Sequence, residues 1–416
     1  MTQDLQTSPP RATRAASDRP SLVRAGGLPF LTTALLGRLP SSTIQLGLLM
    51  FVAASGLGVG LGGLTVAAVG VGTAIGAPLV GRSVDRWGPF PVVVAATAVQ
   101  VSALLGVLAA TSTHAPTWLL IVSAGLVGAA NPQVGSIARS RWSHLARRTG
   151  RPDLVHRALG YEVAADEVGF VVGPVAASLL VAFLGPVPAL WVLIGFALLG
   201  QGAFAVHLRG DRASWVSRAT TSAGLLPGAG QRLRLAPLVA PLLACLAVGM
   251  AFGSTQTGLT AVNELRGTEA LTGVIYGCAG LGSGIASLAV TRFARRFGLG
   301  ARVVVGGAAV LLGALGLGTL PGALGAAAYA TLLGLGAGTL LVSSYSRGEA
   351  VAPPRLVAST MTLLATALVL GVSAGAALSG VLAATPAYAF VPAAAAGVLG
   401  IVTGLALRNH RDRTQA

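Results

Sequence analysis

The sequence predicts an all-α polytopic membrane protein: twelve transmembrane helices in two six-helix halves related by a parallel repeat. Three observations carry this. Of the 416 residues, 54% are hydrophobic and only 10% charged, where a soluble domain carries about 25% charged residues. Apolar runs recur along the whole chain, each long enough to cross about 30 Å of hydrocarbon at about 1.5 Å per residue. They lack the strand-like alternation of an outer-membrane barrel. Finally, every one of the 28 basic residues is arginine, and all but two of them fall in the alternate loops and tails on one side of the predicted spans.

In order, residues 1–26 are rich in Ser, Thr, Pro and Arg and read as a disordered tail. No cleaved signal peptide is visible there. The first apolar run covers about 28–53 and contains Arg38 and Pro40. The second, 59–80, ends at the charged stretch Gly81-Arg82-Ser83-Val84-Asp85-Arg86-Trp87-Gly88, read as a Gly-bounded hinge turn. The third run is 90–110 and the fourth 117–138, with Asn131 and Pro132 near its end. A basic loop over 139–157 follows. The fifth run, 159–183, is interrupted by Glu162, Asp166 and Glu167; the sixth is 188–207 after a Gly185-Pro186 turn. The first half is therefore 27–208, a linker spans 209–235, and the second half is 236–407 with a polar tail at 408–416. Its runs are 236–260, 270–291, 302–320, 323–345, 357–381 and 386–407.

Even parity puts both ends on one side. All arginines except Arg38, within a span, and Arg266 fall on that side, so the positive-inside rule predicts cytoplasmic termini. The net charge of +16 is spread over loops and forms no stripe for nucleic acid. Cys245 and Cys278 lie inside apolar runs and read as small hydrophobes. No ATP-binding loop, metal cluster or nucleophile constellation appears, so neither enzyme chemistry nor a cofactor is expected. Energy would come from an ion gradient or from the substrate's own gradient.

The halves carry a faint internal repeat. Gly81-x-x-x-Asp85-Arg86-Trp87-Gly88 aligns with Thr291-x-x-x-Arg295-Arg296-Phe297-Gly298, each after the second run of its half. Parallel six-helix repeats are one known transporter arrangement.

These residues resemble the major facilitator superfamily of transporters over about residues 27–407. Gly81-x-x-x-Asp85-Arg86-x-Gly88 is similar to that family's loop between helices 2 and 3. The resemblance implies that Asp85 caps a helix of the other half and holds the outward-facing state. The basic residues that usually follow the second Gly are replaced here by Pro89 and Phe90. Gly169-x-x-x-Gly173-Pro174-x-x-Ala177 resembles the motif of the bacterial drug-efflux, proton-antiporter branch, with Ala177 and Ser178 where two glycines are usual. Small residues there permit close helix approach, and Pro174 frees a carbonyl and bends the helix. The implied setting is a multi-pass protein of the bacterial inner (cell) membrane, a monomer in the lipid bilayer.

Charges inside spans are rare and usually functional. Arg38 lies about 13 Å along the first helix and Asp166 about 10 Å along the fifth, counted from the same face, so the two match in depth for a salt bridge. Glu162 and Asp166 share a helix face, while Glu167 points elsewhere; Glu162 is expected to be solvated near the interface. One reading makes Arg38 and the acids a brace within the first half. The other makes Asp166, with Glu167 and Glu162 as next candidates, the proton carrier. Polar residues expected to line the cavity are Asn131 and Gln133 in the fourth run, Gln256 in the seventh, Tyr276 in the eighth, and Ser343 and Ser344 in the tenth. Each equally reads as a helix–helix hydrogen bond. Trp118 and Trp191 read as interfacial anchors, and Trp87 and Trp142 as cytoplasmic.

The function expected is secondary transport: proton-coupled export of small apolar or zwitterionic molecules. The alternatives are an importer or uniporter of a small metabolite on the same fold, and a receptor or scaffold that transports nothing.

Overall fold

The computed structural model describes residues 22–113, 115–149, 153–211, 236–290, 298–353 and 356–415. Eleven stretches among them are long and apolar enough to cross a membrane. The first, Leu28–Trp87, has 60 residues. That is about 90 Å of helix, three times the hydrocarbon thickness, so it has to turn back on itself. It does so where Gly56 and Gly58 take φ of 80° and 77°, values that cost an L side chain but not glycine. The result is α1 (Leu28–Val52) and α2 (Gly58–Trp87).

The remaining helices follow in sequence order. α3 is Pro89–Ser112; α4 runs Thr117–Ala129 and resumes as Val134–Thr149; α5 is Asp153–Leu184; α6 spans Pro186–His207 with a π-turn at Ala197–Gln201. In the second half α7 is Val239–Arg266, α8 Ala270–Val290, α9 Leu299–Gly318, α10 Ala323–Val351, α11 Val357–Leu382 and α12 Val391–Gln415.

Two sequence expectations are corrected. Gly81–Trp87 is not a turn: α2 continues to Trp87, because Arg82, Ser83, Val84, Asp85 and Arg86 hold no breaker. Only Gly88, at φ 84°, breaks the helix, and Pro89 starts the next one with a φ already suited to it. The basic stretch at 139–157 is not a loop either. α4 runs on to Thr149 and α5 starts at Asp153. Arginine is a good helix former, and these turns extend the helices past the apolar span. Thr291, Arg295, Arg296 and Phe297, and linker residues 212–235, lie outside the described residues.

The helices pair in the same pattern in both halves. α1 packs on α5 and α6, α2 on α4, and α3 on α4 and α6. Likewise α7 packs on α11 and α12, α8 on α10, and α9 on α10 and α12. The halves themselves meet through α2 with α11 and α5 with α8.

Candidate functional site

A cavity of about 140 Å³ lies where the halves meet. Each helix lends it one face at helical spacing. α1 contributes Ser41, Ser42 and Gln45; α5 contributes Phe170 and Pro174; α7 contributes Phe252 and Gln256. α8 adds Tyr276, Gly280 and Ser283. No charged side chain lines it. Phe252 and Tyr276 meet edge to face at 6.2 Å. The Gln256 side chain is buried (2% exposed), and its Nε2 has no hydrogen-bond partner. The hydroxyl of neighbouring Thr257 is likewise buried and unpaired.

One helical turn away, toward the face bearing the termini, lies a charge network. Arg38 is four residues before Ser42 and Asp166 four before Phe170, so the network and the cavity share α1 and α5. Arg38 Nε donates to Asp166 Oδ1 at 2.9 Å, and its Nη2 donates to Glu162 Oε2. Arg139 donates to Asp166 Oδ2 at 2.6 Å. Trp142 Nε1–H donates to Glu162 Oε1 at 2.7 Å. The depth match between Arg38 and Asp166 thus becomes contact. Glu162 is not solvated as expected: it is fully buried, and so is Trp142, because α4 carries the indole back over α5 and against Phe30, ring centroids 5.3 Å apart. Asp166 is 32% exposed and Arg139 37%. The side chain of Glu167 lies outside the described residues.

The other sequence candidates are placed as follows. Asn131 occupies the break in α4, where its Oδ1 accepts from Ser41 Oγ at 2.8 Å. Gln133, at φ 54°, lines a separate cleft. Ser343 and Ser344 donate to the carbonyls of Thr339 and Leu340 in their own helix, both at 2.7 Å. Gln256 and Tyr276 line the central cavity. Sequence reasoning missed Ser41, Ser42 and Gln45; the signal available was their shared face on α1, one turn past Arg38.

The cleft, about 420 Å³, separates α2 and α4 from α11 on the termini side. Asp85 and Gly81 line it across from Thr362 and Thr366. Asp85 makes no hydrogen bond or ion pair with a described residue. At the opposite end the halves close. Gly63 lies against the Ala376 carbonyl and Gly60 against that of Gly380. Ser178 Oγ donates across to the Ala270 carbonyl at 3.3 Å. Within the Gly169–Ala177 motif, Gly173 touches the Ser42 backbone and the Pro174 carbonyl touches Gly273 of α8. The motif therefore lets α5 approach α1 on one side and α8 on the other. The molecule is closed away from its termini and open toward them.

A sequence profile of the Major Facilitator Superfamily matches residues 30–376. The chain belongs to that superfamily. It is a multi-pass membrane protein and a secondary transporter that moves small molecules by alternating access, not an enzyme. No curated protein sequence matches it. Among solved structures it is similar to a point mutant of the nucleoside transporter NupG, with a TM-score of 0.70, 13% identity, and cover of 91% of this chain and 98% of that one. It is similar also to a bacterial homologue of the iron transporter ferroportin in an inward-facing state (TM-score 0.67, 16% identity, 93% and 99% covered). A POT family transporter in complex with a thioalcohol-conjugated peptide gives 0.62 at 12% identity, with 94% and 96% covered. At these identities the likeness is one of fold.

Proposed function

We propose that this transporter is a proton-coupled exporter of the drug-efflux branch, moving small apolar or zwitterionic molecules outward across a bacterial inner membrane. Twelve spans form two parallel six-helix repeats, and both termini are cytoplasmic. The parallel pairing patterns of the halves support the repeat, and the arginine asymmetry supports the orientation. On that orientation the open cleft is the cytoplasmic entrance and the present state faces inward.

The observation that carries the coupling is the contrast between the two acids on Arg38. Glu162 is sealed. Asp166 is a third exposed and is shared between Arg38 and Arg139. A partly exposed carboxylate held by two exchangeable cations suits proton uptake and release. Asp166 is the proposed carrier, with Glu167 and Glu162 next in line. A second reading, in which the network only braces the first half of a uniporter or importer, draws on its full internal pairing.

Proton movement induced by substrate in proteoliposomes separates them. Asp166→Asn is expected to abolish the proton signal while leaving downhill exchange. An unchanged signal would remove Asp166 as the carrier. Exchanging the charges (Asp166→Arg with Arg38→Asp) is expected to stop coupled transport; retained coupling would favour the brace. Orientation is checked by a phosphatase fused after residue 416, where periplasmic activity would reverse the topology.

A further inference from the structure

The cavity holds a relation between the halves that neither motif predicts. Gln45 is the eighteenth residue of α1, and Gln256 is the eighteenth of α7. Each opens a Gln-x-Gly step: Gln45-Leu46-Gly47 and Gln256-Thr257-Gly258. The two glycines also have matching neighbours. A Cβ on Gly47 would strike Leu193 of α6, and one on Gly258 would strike Phe390 at the entry to α12. The two glutamines are therefore equivalent positions of the repeat, and both line the central cavity. Neither side chain makes a hydrogen bond with a described residue, although Gln256 is 2% exposed. A buried amide without partners costs free energy unless something else supplies them.

We infer that Gln45 and Gln256 form a two-sided carboxamide clamp, one arm from each half, for a small uncharged molecule bearing both a hydrogen-bond donor and an acceptor, such as an amide or lactam, on an apolar ring. This rests on the transporter reading above and narrows its substrate class. A carboxamide offers a donor and an acceptor side by side, so it pairs with a group of the same kind. The rest of the lining supplies ring faces, Phe170, Phe252 and Tyr276, and no countercharge. An ionic ligand would lose its hydration there without compensation. The volume is also restrictive: about 140 Å³ in this state, close to the roughly 150 Å³ of an engineered cavity that holds benzene. With one arm on each half, the clamp stays bridged to the ligand while the halves rock about it.

The test is a matched series on the purified full-length protein in nanodiscs, read by saturation-transfer NMR: benzamide, benzoate, benzamidinium and toluene, all of one ring size. Benzamide is expected to bind, with toluene weaker by about three- to tenfold, and both ions weaker by about tenfold or more. Gln45→Leu and Gln256→Leu are each expected to weaken benzamide about three- to tenfold and to leave toluene unchanged. Ions binding as well as benzamide, no benzamide binding at all, or benzamide indifferent to both substitutions would overturn the clamp. Misfolding is controlled by toluene, which needs only the ring faces. A second measurement keeps the clamp apart from the transporter reading. Gln256→Cys, in a background with Cys245 and Cys278 replaced by Ala, is labelled with a membrane-impermeant, permanently charged thiosulfonate (2-(trimethylammonium)ethyl methanethiosulfonate) from either side of the vesicle. Labelling from both sides with no benzamide preference would sink the clamp and leave alternating access standing. Labelling from neither side would sink both.

Discussion

The α1–α5 and α7–α11 interfaces occupy equivalent places in the two halves and are built from opposite chemistry. Between α1 and α5 the contact is ionic: Arg38 meets Glu162 and Asp166, and Gly173 against Ser42 is its tightest backbone approach. Between α7 and α11 no charge is present among the described residues. Gly249 and Gly253 lie on the α11 backbone, and Gly371 and Gly375 on that of α7. In a bilayer, where lipid tails are as apolar as leucine, helices associate through close packing or through polar bonds. Each of these two interfaces relies mainly on one of them. An ionic contact can change partner or protonation without moving a helix. A glycine contact has no such freedom, because a single methyl group already collides with the opposing backbone. In the proposed mechanism the α1–α5 interface carries the chemistry that responds to protons, and the α7–α11 interface is its rigid counterpart.

The comparison breaks most visibly at Arg38. Arg38→Ala strands the fully buried Glu162 carboxylate and leaves Asp166 to Arg139 alone, and is expected to destabilise the protein by about 3–5 kcal/mol, read as a fall in melting temperature by size-exclusion in detergent. No effect there would mean the acids are solvated in the bilayer. Next come the glycines. Gly253→Ala and Gly371→Ala are each expected to cost about 1–3 kcal/mol by overpacking. Gly169→Ala on α5, whose Cβ would meet Ser42 at an ordinary 3.6 Å, should be neutral or stabilising, since alanine gains about 1 kcal/mol of helix propensity over glycine. Equal losses at all three would erase the distinction between the interfaces.

Smaller still is Trp142→Phe. It keeps the ring against Phe30 and removes the N–H that Glu162 accepts, while Arg38 still holds the same carboxylate. A loss of about 1 kcal/mol is expected, and Trp142→Leu should exceed it by removing the edge-to-face contact as well. Asp85→Asn should leave stability within about 0.5 kcal/mol, because Asp85 is exposed. Its effect belongs to the conformational balance: spin labels at Ser136 and Thr366 across the cleft should report a larger open fraction, with transport impaired. An unchanged distance distribution would reduce Asp85 to a solvated helix end.

Much of the site was legible one helix at a time. The depth of Arg38 and Asp166 follows from counting residues along two helices, and Gln256 and Tyr276 stand out as polar groups in apolar runs. What failed involved a third element. Glu162 counts as near the interface on α5 alone; it is buried only because α4 resumes after Ala130–Gln133 and brings Trp142 over it. The hinge at Gly81 failed differently. Charge in a short stretch marks the end of an apolar segment, not the end of a helix, and α2 runs on past it to Trp87, where Gly88 ends it.

The sequence by itself determined where the apolar spans lie and that the arginines fall in alternate connections between them. These depend on how each segment partitions between water and lipid, which is a property of the segment alone. Only the tertiary structure decided that Arg38 takes two acids at once, that Gln45 and Gln256 share one cavity, and that the halves are closed at one end and parted at the other. Those are relations between helices far apart in sequence. They are set by how closely backbones approach at small residues and by which polar groups are left to find one another once the lipid-facing surfaces are satisfied.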